Sequence, residues 1–70
     1  MTPEDVTDLI NTMEAITEDV DFPYEGATFA ESVLDTARKI ESTVLERGIV
    51  TRNQWEALCN MKDGVEKWVR

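Results

Sequence analysis

Fifteen carboxylates, a single thiol and no histidine are what this chain offers for acid–base, nucleophilic or metal chemistry. Without histidine there is no Ser-His or Cys-His pair to activate a nucleophile. A zinc site would have to be assembled from one thiolate and carboxylates. The three glycines, Gly26, Gly48 and Gly64, are scattered, so no glycine-rich loop can cradle a phosphate. Cys59 adjoins Leu58 on the apolar side of its segment, which predicts a buried, inert thiol rather than a reactive one. The densest acidic cluster is "EDVDFPYEGATF", residues 18–29, where Glu18, Asp19, Asp21 and Glu25 surround Phe22, Pro23 and Tyr24 with no base. Asp19 and Asp21 match the first and third positions of an EF-hand loop. Pro23 and Tyr24 then stand where that loop needs an oxygen ligand and its turn glycine, and Ala30 where it needs a bidentate Glu. The expectation is therefore no enzyme, no metal and no cofactor, with residues 18–25 serving as a linker or a recognition loop.

The charge is unevenly placed. Residues 1–35 carry ten acids and no base, a net −10, whereas residues 36–70 carry five acids and seven bases, a net +2, which together make the formal −8. Such a surface is repelled by nucleic acid and by anionic membrane, and attracted to basic protein surfaces. Helical residues four apart rise about 6 Å, close to the roughly 6–7 Å between neighbouring phosphates on a nucleic-acid strand. Glu4 with Asp8, and Glu14 with Glu18, have that spacing, so a first helix could present its carboxylates as a DNA mimic. Aromatics rimmed by charge have the make-up of an interface hot spot; the other use of Phe22 is to fold back and plug the end of a bundle. The expected partner-binding set is Glu4, Asp8, Glu14, Glu18, Asp19, Asp21, Phe22, Tyr24 and Glu25. The alternative is that acidity serves solubility alone, in a small assembly protein that forms a homodimer through Trp68, Leu34 or Leu45.

Three helical segments position these groups. Seventy residues make one domain, 1–70, near the lower size limit for a core without disulfides or metal. In "TPEDVTDLINTMEAI" Thr2 is the expected N-cap, with Pro3 at the first helical position and Glu4 and Asp5 in the first turn. Val6, Leu9, Ile10, Met13 and Ile16 form its apolar face. The second segment starts from a Thr28…Glu31 capping box and stops at Gly48. Its expected core positions are Phe29, Val33, Ala37, Ile40 and Val44, with Leu34 and Leu45 widening the arc as in a middle helix touching both neighbours; Asp35 and Lys39 form an i,i+4 pair. The third segment is capped by Thr51 and Gln54, with Val50 and Trp55 as a hydrophobic staple. Leu58, Met61, Val65 and Trp68 continue its face, and Gly64 weakens it by about 1 kcal/mol relative to Ala. Breaks fall near residues 18–27 and 48–51. The fold expected is all-α, a three-helix bundle. No apolar run reaches the roughly 18 residues of a membrane span, and no signal-peptide pattern opens the chain. A cytoplasmic protein is the expectation.

"FAESVL" followed by "GIVTRNQWEAL" resembles the F-x-x-S-L … G-x-L-[ST]-x-x-Q pattern of short helical proteins of bacteriophages and other mobile elements. The match runs from Phe29 to Leu58 and departs at Val50, where the pattern has Leu. The resemblance implies a mobile-element origin. It also implies the role that small acidic phage proteins often share: inhibiting host machinery, CRISPR effectors included, by occupying basic nucleic-acid-binding surfaces.

Overall fold

In the computed structural model, which describes residues 1–69, Thr2 opens the first helix, α1 (Pro3–Glu18). Thr2 Oγ1 accepts from the Asp5 N–H at 3.2 Å, and Asp5 Oδ2 accepts from the Thr2 N–H at 2.9 Å. That is a capping box with Asp standing where Glu or Gln is usual. A 3₁₀ turn (Tyr24–Gly26) leads without a break into α2 (Ala27–Arg47), and α3 (Arg52–Glu66) follows. The expected Thr28…Glu31 box does not form, because α2 begins one residue before Thr28 and has no side-chain cap. The turn replaces it: Pro23 C=O accepts from the Gly26 N–H at 3.0 Å, and Tyr24 C=O accepts from the Ala27 N–H. The donors at the helix start are thus satisfied by backbone. At the other end Gly48 adopts φ 74°, the left-handed conformation that ends a helix, and its N–H donates to Val44 C=O at 2.7 Å. Thr51 and Gln54 cap α3 reciprocally as expected.

These helices pack as a three-helix bundle in which α1, not α2, is the middle element. Helix α1 packs on α2 and α3 equally, and more extensively than those two pack on each other. Val6, Ile10 and Met13 of α1 meet Ala37 and Val44 of α2 and Leu58 of α3 in one fully buried cluster, with Leu9, Val33, Leu34, Ile40, Val50, Trp55 and Met61 against it. On α2 the buried positions are Ala30, Ala37 and Val44, a seven-residue repeat. Two of the three are alanines, which lets α1 and α2 approach closely.

Phe29, expected in the core, is 40% exposed, and Ala30 beside it is buried instead. Leu45 is 57% exposed rather than part of the apolar arc. Trp68 lies beyond the last helical residue and packs against Phe29 at a tilt of 43°, with ring centroids 6.2 Å apart. Phe29 also covers Gly64, where an added Cβ would lie 3.1 Å from its ring. Gly64 therefore gives an aromatic its seat, and α3 continues past it to Glu66. Cys59 is half-buried, not buried.

The molecule measures 35 × 17 × 15 Å. Its long axis is close to the ~31 Å expected of the 21 residues of α2. One end therefore gathers the end of α1, residues 19–26, the start of α2 and the end of α3. None of the helices among the described residues is long and apolar enough to cross a membrane.

Candidate functional site

Residues 19–23 are held by their own backbone. Asp19 Oδ1 accepts from the Asp21 N–H at 2.8 Å, and Asp19 C=O accepts from the Phe22 N–H at 3.0 Å. Asp19 thus organises an Asx turn, and Pro23 fixes the entry to the 3₁₀ turn. Phe22 is directed inward and half-buried: a Cβ on Gly26 would stand 3.0 Å from its ring and 2.8 Å from the Trp68 ring. Phe22 thus folds back toward the bundle end while remaining only half-buried. Tyr24 does the opposite and is 90% exposed.

The expected binding residues divide into two groups. Glu18, Asp19, Asp21, Tyr24 and Glu25 come together at the loop end, all exposed. Glu4 and Asp8, also exposed, sit at the far end of α1, where Glu4 is about 21 Å from Glu18 along the helix axis. Among the described residues no basic side chain is within ion-pair distance of any of these six carboxylates. Glu14 departs from its group. It is half-buried at the α1–α2 seam and paired with Arg38, whose Nη1 also donates to Glu41 Oε1 at 3.2 Å. Glu41 in turn accepts from Thr7 Oγ1 at 2.9 Å. Burial opposes the Arg38 charge, but the hydrogen bonds and charges of Glu41 and Glu14 outweigh it and hold the guanidinium above its ordinary pKa. The Arg38 charge is therefore no source of pH dependence near neutrality. Glu14 belongs to the seam that joins the helices, so the acidic row of α1 is interrupted at its middle.

Sequence reasoning missed this network. The available signal was that Arg38 is the first base in the chain, facing a run of acids with no other cation to neutralise them.

No group of three or more Asp, Glu or Cys side chains among the described residues could hold a metal ion. No buried side-chain nitrogen or oxygen among them lacks a hydrogen-bond partner. Asp19 and Asp21 do share a shallow hollow with Ile16 and Val69, but two of its four walls are apolar. Millimolar calcium is accordingly expected to leave the melting temperature unchanged. A rise that chelator reverses and magnesium does not reproduce would make residues 19–25 a calcium loop after all.

No family model, no curated protein and no solved structure matches this chain.

Proposed function

We propose that the chain is a non-enzymatic, acidic protein-binding module that occupies the basic, nucleic-acid-binding surface of another protein, as a phage-type inhibitor of a CRISPR effector would. The observation that carries this reading is the position of Glu18 and Asp19. They end α1 and cap it, where the helix dipole presents its negative pole, and the last turn contains no base. The Glu18 carboxylate so placed costs about 0.3–1 kcal/mol, whereas for Asp19 the hydrogen bond accepted from the Asp21 N–H offsets that cost. Solubility needs charge but not at that pole; the starts of the helices would hold the same acids favourably. Charge kept where it opposes local stability fits a role in binding. Beside it, Tyr24 offers an exposed aromatic on a segment that is already ordered, so little entropy is lost when it is buried by a partner.

Glu18→Lys separates the two demands. It is expected to raise the free energy of unfolding by about 0.3–1 kcal/mol while weakening partner binding. Asp21→Lys and Glu25→Lys should slow association and flatten its salt dependence, because exposed charge acts chiefly on encounter. Tyr24→Ala should act on dissociation instead, by about 2 kcal/mol if the ring is a hot spot. Binding kinetics against nucleic-acid-binding proteins, CRISPR effectors among them, at low and high salt decide the matter. A complex indifferent to salt, or one that Glu18→Lys leaves untouched, defeats the reading.

The second reading, self-association, draws on the opposite end of the bundle, where Leu45 and Ile49 are both more than half exposed. Sedimentation that depends on concentration, and that Leu45→Glu abolishes, would favour it.

A further inference from the structure

Along the α1–α2 seam the two ends are built differently. The lower part is closed by polar pairs, Thr7 with Glu41 and Glu14 with Arg38. Above Arg38 the seam opens into a groove of about 260 Å³ lined by Thr17, Phe22, Ala27, Ala30, Glu31 and Leu34. Two of its walls, Ala27 and Ala30, are alanines. The Thr17 hydroxyl donates to Glu14 C=O at 2.9 Å and can only accept from a ligand. The groove therefore offers apolar surface with two acceptors, the Thr17 hydroxyl oxygen and the Glu31 carboxylate.

We propose that this groove is the docking site for a basic segment of a protein partner, receiving one aliphatic side chain between Phe22 and Leu34 while lysines or arginines flank it. The proposal rests on the acidic-surface reading and names the partner chemistry that completes it. Charge complementarity selects the occupant. Glu31 stands on the rim, Glu18 follows Thr17 and Glu25 precedes Ala27 by two residues, and none of them has a basic partner among the described residues. The nearest cation along α2, Arg38, is engaged by Glu14 and Glu41. A neutral apolar ligand would leave those carboxylates unanswered, and an anionic one would be repelled. The apolar floor supplies what the carboxylates cannot, since exposed charge directs encounter and a desolvated apolar side chain slows dissociation.

Two synthetic lysine-rich helical peptides, differing only in a central leucine or serine, test the groove on the unmodified protein. By fluorescence anisotropy the leucine peptide is expected to bind at least about tenfold more tightly. Its amide shift changes should include Ala27, Ala30 and Leu34. Ala27→Leu fills the groove without altering charge and should remove the tenfold preference while leaving the salt dependence of binding intact. Equal, salt-sensitive binding of both peptides overturns the groove and spares the acidic-surface reading. Leucine-dependent binding indifferent to salt does the reverse. Failure to bind either peptide at low salt removes both. A concentration-dependent dimer that Ala27→Leu disrupts gives the groove to a second copy of the chain and overturns the proposal.

Discussion

Ile10→Ala is expected to cost the chain a large share of its stability. Ile10 is fully buried on α1, the helix that packs against both others. Removing its side chain beyond Cβ deletes contacts to two helices at once, and truncations of this kind cost about 2–5 kcal/mol through lost transfer energy and the cavity left behind. The total available is small. At roughly 0.05–0.15 kcal/mol per residue, a domain of this length is stable by about 3–10 kcal/mol. Its one cysteine rules out an internal disulfide. The substitution therefore removes between about a fifth of the stability and all of it. Leu45→Ala deletes as many carbons from a side chain 57% exposed and should cost no more than about 0.5 kcal/mol. Urea titrations followed by far-ultraviolet circular dichroism measure both. An Ile10→Ala midpoint close to that of the parent would mean that the bundle repacks around the loss, and that α1 is not its organising helix.

The contrast between those two residues also marks how far the sequence could be read. Helix number, the caps at Thr2 and Thr51 and the stop at Gly48 were legible because each is a local event, decided by side chains within a few residues of one another. The exchange of Phe29 for Ala30 was not legible. Periodicity fixes a face to within about one residue, and what decides inside that margin is how near the neighbouring helix comes. Alanine at 30 and 37 permits a close approach to α1, so the large ring is turned to the edge and finds its seat on Gly64 of another helix. The same limit applies at the site. The acids of residues 18–25 could be seen as a cluster because they adjoin in sequence. The removal of Glu14 by Arg38 spans 24 residues, and the groove beside Glu31 exists only once two helices are in place. Glu31 reads from the sequence as half of a capping box with Thr28, and its place beside the groove follows only from where α1 ends.

Gly26→Ala is expected to destabilise the protein by about 1–3 kcal/mol, the range for overpacking a filled site. Helix propensity alone would give the opposite sign. Gly26 has φ −86° and ψ −6°, a conformation any residue adopts, so its backbone does not demand glycine. Space does. A Cβ there would meet the Trp68 ring at 2.8 Å and the Phe22 ring at 3.0 Å, and neither contact is with the free tip of a flexible chain. One of the two rings must shift. If Trp68 moves, it abandons Phe29 as well, and its fluorescence should shift to the red. If Phe22 moves, the turn built on Asp19 loses its inward anchor, and amides of residues 19–23 should exchange faster. Gly64→Ala is the internal control. Its Cβ would lie 3.1 Å from the end of the half-exposed Phe29 ring, which can yield, while the helix gains up to about 1 kcal/mol in propensity. That variant should be more stable than the parent. A double-mutant cycle settles which ring resists: in a Trp68→Ala background, Gly26→Ala should lose most of its cost. If the cost persists there undiminished, Phe22 alone packs against Gly26, and Trp68 has no part in holding the acidic loop to the end of the bundle.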